Sequence, residues 1–233
     1  MNTVVIADFD ETLIEQNTLL NLYRILTDTP LALGVALAFV KGRWLRRGPR
    51  AAIKEEMYRR MLRGKSESDL AAAGREIAHR VTLNQPVVSR IRQLSAQGHD
   101  LLVASAALTP IVRTILEEKG LPFSRIVASR AEIEEGKLTG NLVGLECFGK
   151  VKARRLTHVL DTFYSNPHVI AFGNWPDDGP MLAGADEAYV VEGKNIVKLA
   201  SNRPKPGHAR NSNDTISGDC GDDKDQRSQC DRS

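Results

Sequence analysis

The sequence predicts an α/β fold, in which a parallel sheet is covered by helices and a helical segment is inserted after the first strand. The apolar run Val4 to Ala7 indicates a buried first strand. Helical periodicity follows for about seventy residues, and short β-branched segments alternate with helices only from Asp100 onward. At 233 residues, with 42% hydrophobic and 26% charged residues, the chain is an ordinary globular protein with room for one α/β domain carrying an insertion.

The first half of the chain is predicted to be one strand followed by helices. After Thr12, apolar residues recur at intervals of three and four, so we expect a helix to begin there. The segment Ser66 to Asp69 is a capping box that opens a later helix. The run Leu31 to Val40 is about half the length needed to cross a bilayer and is predicted to be a core or cap helix. The breaks that divide this region into short helices are Pro30, Gly42, Gly48-Pro49 and Gly64.

The second half alternates strands and helices. The segment Ala131 to Val143 contains two turn signals, which favour a small antiparallel excursion over a helix. The stretch Ser201 to Ser233 contains one branched aliphatic residue and no aromatic residue, so we expect it to be a disordered tail. The predicted strands are 101–104, 125–128, 168–172 and 188–191, and the predicted helices are 110–119 and 150–160.

The spacing of the first two strands defines the predicted domains. They are separated by about ninety residues, whereas a plain crossover unit needs about thirty. The excess is predicted to be a helical subdomain that lies over the strand ends, where open α/β sheets bind ligands. We therefore expect a core of residues 1–15 and 85–200, a helical cap of residues 16–84 and a polar tail of residues 201–233.

Charge and cysteine content indicate the kind of partner and the compartment. Lys41 to Arg63 contains nine Lys or Arg and two Glu, which favours anionic ligands, although the net charge is only +3. Nucleic acid is not expected, because only Trp44 and Tyr58 could stack on bases there; contact with a membrane surface is the minority alternative. Three cysteines without metal-ligand spacing, and a start that does not resemble a signal peptide, predict the cytoplasm.

Two carboxylates at the end of the first strand are the first candidate site residues. Asp8 and Asp10 follow the apolar run at i and i+2, so both reach the rim of the sheet. Negative charge there needs compensation, which predicts a metal ion and a phosphate; a helix cap is the alternative explanation.

Polar residues also follow later strands. Ser105 ends the strand at 101–104 and could donate to a phosphate oxygen. Lys150 and Lys152 lie at a helix N-terminus, which tolerates a cation better if an anion lies close by. After the strand at 168–172 come the hard oxygen ligands Asn174, Asp177 and Asp178, which suit magnesium.

In this order, the segments resemble the haloacid dehalogenase (HAD) superfamily, in its phosphoserine-phosphatase-like branch with a helical cap (subfamily IB). The matching motifs are D-F-D-E-T at 8–12, a Ser after the second core strand, a Lys heading a helix, and G-N-x-x-x-D followed by G-P-M-L at 173–182. The resemblance implies a three-layer α/β/α Rossmann-like core and Mg²⁺-dependent hydrolysis of a small phosphate monoester through an aspartyl phosphate. Dehalogenation is not implied, because an Asp stands at the second acidic position.

The resemblance also implies a role for each site residue. Asp8 would be the nucleophile and Asp10 the general acid and base. Thr12, Ser105 and Lys152 would bind or brace the phosphoryl group. Lys152 fits the family's K-x-x-x-L pattern and is preferred over Lys150. The implied metal ligands are Asp8, Asp10, Asn174 and Asp178.

Two departures from the family pattern limit what the resemblance implies. Asn174 stands where the family most often has Asp, which predicts weaker metal binding, and Trp175 follows it where a small residue is usual. Asn17 stands where phosphoserine phosphatases have a Glu that holds the substrate ammonium, and no cap Arg is clearly placed, although Arg59 and Arg60 are near. Phosphoserine phosphatase is therefore an alternative, as are a phosphotransferase and a weakly active regulatory or membrane-surface binding protein. The ester, the oligomeric state and the role of the tail are left open.

Overall fold

The structure, a computed structural model, describes residues 2–30, Ala32 and 48–200. Two predictions lie outside the described residues: the helix over Leu31 to Val40, of which only Ala32 is described, and the tail 201–233. The basic segment Lys41 to Arg63 is described only from Gly48 onward.

A six-stranded sheet forms the centre of the molecule. Its strand order is β3-β2-β1-β6-β7-β8, with β8 antiparallel to β7 and the other neighbours parallel. The order reverses at β1, because the chain runs from β1 to β2 and β3 on one side and later places β6 on the other. Ligands of open α/β sheets bind at such a reversal. The strands are β1 (Thr3–Asp8), β2 (Asp100–Leu108), β3 (Arg125–Ser129), β4 (Ala131–Glu134), β5 (Lys137–Leu142), β6 (His168–Gly173), β7 (Glu187–Glu192) and β8 (Asn195–Lys198).

Helices cover both faces of this sheet. Side chains alternate along β1, so that Val5 and Ala7 belong to one apolar cluster while Val4 and Ile6 belong to the other. The first cluster includes residues of α1 to α5, and the second includes residues of α6 and α7. The helices are α1 (Thr18–Leu26), α2 (Pro49–Leu62), α3 (Glu67–Arg80), α4 (Gln85–Ala96), α5 (Thr109–Glu118), α6 (Gly149–Phe163) and α7 (Gly179–Ala183).

This three-layer architecture confirms the predicted α/β fold with a parallel sheet. The predicted strands at 101–104, 125–128, 168–172 and 188–191 each lie within an observed strand, and the helices at 110–119 and 150–160 are found as α5 and α6. The Ser66 capping box opens α3, with the Asp69 amide donating to Ser66 Oγ. None of the helices in the described part of the chain is long and apolar enough to span a bilayer.

The described part of the segment between β1 and β2 contains four helices and no strand of three or more residues, as predicted. Its helix α3 packs closely against α5, because a Cβ added at Gly74 would lie 2.9 Å from Thr114 Cβ. Its helix α2 packs against the antiparallel β4–β5 hairpin, which confirms the predicted excursion at 131–143. The main chain joins the same two parts, since the Gly64 amide donates to the Leu138 carbonyl over 2.8 Å. The division into core and cap at residues 16 and 84 stays a prediction.

Three local predictions were wrong or incomplete. The helix expected after Thr12 begins only at Thr18, because residues 9–14 form a tight loop in which the Leu13 and Ile14 amides both donate to the Phe9 carbonyl. The strand β2 runs on to Leu108, four residues beyond the predicted end. The short edge strand β8 was not predicted.

Candidate active site

The first two acids lie at the carboxyl end of β1 and in the loop that follows it. Asp8 is the last residue of the strand and is buried between β2 and β6. The loop then turns sharply, with Glu11 in the left-handed region at φ 59°. That turn brings Asp10 back against the start of α1, where its carboxylate accepts hydrogen bonds from the Thr18 amide at 3.0 Å and the Thr18 hydroxyl at 3.2 Å. Asp10 thus contacts the first residue of α1, although the N-cap residue of that helix is Asn17.

Lys152 joins Asp8 to Asp178. Its ammonium lies 2.6 Å from Asp8 Oδ1 and 2.7 Å from Asp178 Oδ1, and at most 6% of any of the three side chains is exposed. Burial alone would lower the pKa of Lys152, but the two carboxylates outweigh it and hold that pKa above its usual range. The ammonium is therefore a fixed positive charge beside Asp8.

The two candidate lysines occupy different environments. Lys152 lies in the first turn of α6 and is buried, whereas Lys150 at the same helix end is exposed. The helix begins at Gly149, which has φ 53° and so allows the turn from Phe148 into α6. The structure brings Lys152, and not Lys150, to the carboxylates of Asp8 and Asp178.

The loop after β6 holds Asn174 and Asp178 against each other. The Asn174 amide donates to Asp178 Oδ2 over 3.0 Å, and the Asp178 amide donates to the Asn174 carbonyl over 3.1 Å. A side chain at Gly173 would not fit, because its Cβ would lie 2.8 Å from Asp178 Cβ. Trp175 does not pack beneath this loop: 64% of its side chain is exposed, and its ring lies over Gly179.

Burial and mutual repulsion change the acidity of two of these acids. Burial, followed by the charge of Asp8, raises the pKa of Asp10 to about 7. The same two causes, in the same order, raise the pKa of Asp178 to about 6, against the opposing effect of Lys152. Asp10 can therefore both give and take a proton near neutral pH.

Two hydroxyl groups complete the predicted set. Ser105 is fully buried in β2, and its Oγ accepts a hydrogen bond from the Ala107 amide over 3.0 Å, which leaves the O–H able to donate to a ligand. Thr12 is also fully buried, and its Oγ1 has no hydrogen-bond partner in the described part of the chain. A buried hydroxyl without a partner is costly, so a ligand or a loop rearrangement at Thr12 would be stabilising.

Four oxygen donors could hold a hard cation. They are the carboxylates of Asp8 and Asp178, the main-chain carbonyl of Asp10 and the side-chain amide of Asn174, whose Nδ2 lies 3.5 Å from that carbonyl oxygen. Among the described residues, no three His, Cys, Asp or Glu side chains form a metal cluster, so the set depends on the amide and the main chain. These oxygen donors suit Mg²⁺. The two carboxylates of Asp8 and Asp178 share one ammonium, so a further positive charge would be stabilising there.

Sequence reasoning missed three residues close to this site. Tyr58 of α2 is buried, and its hydroxyl lies 3.4 Å from Glu146 Oε1, which also binds the Lys54 ammonium at 2.8 Å. Burial, Glu146 and then Asp10 raise the pKa of Tyr58 well above its usual range. No local motif marks these residues, because they meet only when α2 folds over the loop before α6.

The residues considered for binding an amino-acid substrate are engaged elsewhere. Asn17 caps α1, with its Oδ1 accepting from the Leu19 amide over 3.1 Å. Arg59 and Arg60 both bond to the buried Glu56, at 3.3 Å and 3.0 Å.

The fold and the site together define a three-layer α/β protein with a buried carboxylate at the strand-order reversal. The family model of the haloacid dehalogenase-like hydrolases matches residues 5–183. The chain therefore belongs to the haloacid dehalogenase-like hydrolase family.

Solved structures share the fold. A HAD family hydrolase from Salmonella enterica serovar Typhi matches with a TM-score of 0.59 at 19% identity, covering 79% of this chain and 60% of that one. This chain thus spans about 60% of the length of that hydrolase. A protein of unknown function from Bordetella pertussis Tohama I matches with a TM-score of 0.64 at 20% identity, covering 78% of this chain and 86% of that one. A phosphoserine phosphatase in its apo form matches with a TM-score of 0.56 at 19% identity, covering 81% and 85%.

Proposed function

We propose that this protein is a Mg²⁺-dependent phosphatase that hydrolyses a small phosphate monoester through an aspartyl phosphate on Asp8. The observation that carries the proposal is the arrangement of two acids with different roles. Asp8 is buried beside a fixed ammonium, at 2.6 Å, while Asp10 two residues later has a pKa of about 7. The proposal therefore assigns the nucleophile to the last residue of β1 and the proton donor to the loop that follows it.

In the first step, an oxygen of Asp8 attacks phosphorus and the bond from phosphorus to the ester oxygen breaks. Asp10 gives its proton to the departing alkoxide, so the alcohol leaves neutral. Lys152 and the Ser105 hydroxyl stabilise the charge on the phosphoryl oxygens during the transfer.

In the second step, water attacks the aspartyl phosphate. Asp10, now ionised, takes a proton from the water, and the bond from phosphorus to Asp8 breaks. Inorganic phosphate leaves, and both acids return to their starting forms.

The Mg²⁺ ion would be held by Asp8, Asp178, Asn174 and the Asp10 carbonyl. When bound, it supplies positive charge that screens Asp8 from the anionic phosphate and helps to orient the phosphoryl group. The amide at Asn174 contributes no formal charge, so we expect weaker metal binding than an Asp there would give.

The rest of the sequence predictions complete the proposal. We place the protein in the cytoplasm and assign it a small-molecule ester as its partner; the buried thiol of Cys147 is free, as a reducing compartment allows. Residues 16–84 would form a cap that excludes bulk water from the site. Phosphotransfer to an alcohol, phosphoserine hydrolysis, and a weakly active regulatory protein that binds membrane surfaces remain alternatives.

The test is hydrolysis of p-nitrophenyl phosphate with and without EDTA. Asp8→Asn should lower kcat at least about a thousandfold, because it removes the nucleophile. The matched control is Asp161→Asn, which removes an exposed carboxylate on α6 and should retain wild-type kcat. Full activity in Asp8→Asn, or in the presence of EDTA, would contradict the proposal. Added glycerol separates hydrolysis from phosphotransfer, since only a transferase yields glycerol phosphate.

A further inference from the structure

A polar cluster joins the inserted helix α2 to the loop that precedes α6. It consists of Lys54 and Tyr58 of α2 and Glu146 of the loop before α6, and we call it the Glu146 cluster. Tyr58 is 4% exposed, and the exposed fractions of the Lys54 and Glu146 side chains are 19% and 23%. These three groups are thus partly desolvated and in reach of one another.

The cluster is attached to the helix that carries Lys152. The Lys54 ammonium lies 5.4 Å from the centre of the Phe148 ring, and the Phe148 carbonyl accepts a hydrogen bond from the Lys152 amide over 3.4 Å. Asp10 is close enough to contribute to the raised pKa of Tyr58. In the proposed reaction, Asp10 protonates the leaving alkoxide, so the alcohol portion of an ester bound there can extend toward Tyr58.

The cluster carries no net charge. The Lys54 ammonium and the Glu146 carboxylate neutralise each other at 2.8 Å, and the Tyr58 hydroxyl stays protonated. Groups that could bind a charged amino-acid portion are engaged elsewhere, as described for Asn17 and for Arg59 with Arg60. An ammonium or carboxylate on the substrate would therefore find no unpaired opposite charge in this cluster.

The cluster has unused hydrogen-bonding capacity. The contact of 3.4 Å from the Tyr58 hydroxyl to Glu146 Oε1 is long for an O–H···O bond, whose usual length is about 2.7 Å. Within the described residues, Lys54 and Tyr58 both reach Oε1, which leaves Oε2 able to accept another donor. A substrate hydroxyl can donate to the carboxylate and accept from the Tyr58 hydroxyl at once.

We propose that the Glu146 cluster binds a hydroxyl group on the alcohol portion of the substrate, and that the substrate is the phosphate ester of an uncharged polyol or sugar. This assignment rests on the proposed phosphatase function and specifies its substrate class. Tyr58 and Glu146 are specificity residues in this account, and Lys54 is a positioning residue that holds Glu146.

The experiment compares three esters of similar size in the full chain with Mg²⁺: glycerol 1-phosphate, propyl phosphate and O-phosphoserine. Glycerol phosphate differs from propyl phosphate only in its hydroxyl groups. We expect wild-type kcat/KM for glycerol phosphate to exceed that for each of the other esters at least about tenfold. A hydrogen bond between a substrate hydroxyl and a charged group strengthens transition-state binding by about this factor, and neither of the other esters has a free hydroxyl on its alcohol portion. Tyr58→Phe and Glu146→Gln should each lower the ratio of glycerol phosphate to propyl phosphate about fivefold or more.

The matched control is Tyr189→Phe, which removes a hydroxyl that bonds to Glu187 at 3.0 Å, on β7. It should leave the ratio between the two esters unchanged. A ratio that does not change in Tyr58→Phe, or a preference for O-phosphoserine, overturns the assignment.

Binding measurements separate this assignment from the catalytic proposal. In an Asp8→Asn background with Mg²⁺, calorimetry should show tighter binding of glycerol phosphate than of propyl phosphate, and adding Tyr58→Phe should remove the difference. Equal binding of the two esters overturns the subsite. If wild type hydrolyses no ester but this difference in binding is found, the phosphatase proposal fails and the hydroxyl subsite stands.

Discussion

Replacing Lys152 by Met tests how strongly the site depends on one buried charge. The substitution keeps an unbranched side chain as far as Cε and removes the ammonium that bonds Asp8 and Asp178 at 2.6 Å and 2.7 Å. Removing one partner of a buried ion pair costs about 3–5 kcal/mol, because the remaining charges stay desolvated. We expect about 3 kcal/mol at pH 8, since Asp178, whose pKa is about 6, can relieve part of the cost by taking up a proton.

The pH dependence of this cost follows from the carboxyl groups that remain. Without the ammonium, their pKa values in the folded state rise further above those of the unfolded chain. When carboxyl groups have higher pKa values in the folded state than in the unfolded chain, the free energy of unfolding falls as pH rises. Lys152→Met should therefore be more destabilising at pH 8 than at pH 5.

Urea denaturation in EDTA at the two pH values measures the difference. The control is Lys150→Met, which removes an exposed ammonium at the same helix end and should change the free energy of unfolding by less than about 0.5 kcal/mol. Equal costs for the two variants, or a larger cost for Lys152→Met at pH 5, would refute this reasoning.

Three further predictions concern the site and its support. Asp10→Asn should stabilise the metal-free protein by about 1 kcal/mol at pH 8 and by less at pH 5, because the raised pKa of about 7 makes ionised Asp10 destabilising. Urea denaturation that shows no increase in the free energy of unfolding at pH 8 contradicts this. Gly140→Ala should cost about 2 kcal/mol or more, since its φ is 95° and its Cβ would lie 2.9 Å from Arg59 Cα, whereas Gly136→Ala at φ 75° has open space and should cost about 1 kcal/mol. Thermal unfolding measures both, and equal losses would exclude the close approach as the cause. Asn174→Asp should lower the Mg²⁺ concentration for half-maximal activity about fivefold, and unchanged or weaker binding would count against a ligand role.

The parts of the fold that were predicted from sequence are those with local causes. The run Val4 to Ala7 is apolar because β1 is buried on both faces between two parallel neighbours, and such a run is visible in any sequence. The Ser66 capping box satisfies amides of its own first turn, so its residues suffice to identify it.

The errors arise where tertiary contacts decide the local structure. The start of α1 is delayed to Thr18 because the Asp10 carboxylate takes the first amide of that helix, a contact across eight residues. The strand β8 is four residues long and mostly exposed, so it lacks the apolar alternation that signals a strand and depends on pairing with β7.

Some residues of the candidate site could be predicted from the sequence, whereas others meet only in the folded chain. Asp8, Asp10, Asn174 and Asp178 follow strands whose carboxyl ends meet at one edge of the sheet, so their convergence could be expected from strand order. The Glu146 cluster could not be expected, because the chain separates its parts by 88 residues, the distance between Tyr58 and Glu146 along the sequence. Its role therefore depends on the geometry of the folded chain.

The central claim is that Asp8 becomes phosphorylated during turnover. Rapid acid quenching of the wild-type enzyme with radiolabelled p-nitrophenyl phosphate and Mg²⁺ should trap label on the protein, and peptide mapping should place it on Asp8. The label should be released by mild base, as expected of an acyl phosphate, and should be missing in Asp8→Asn. Turnover without any trapped acyl phosphate, or label on a residue other than Asp8, would contradict the account.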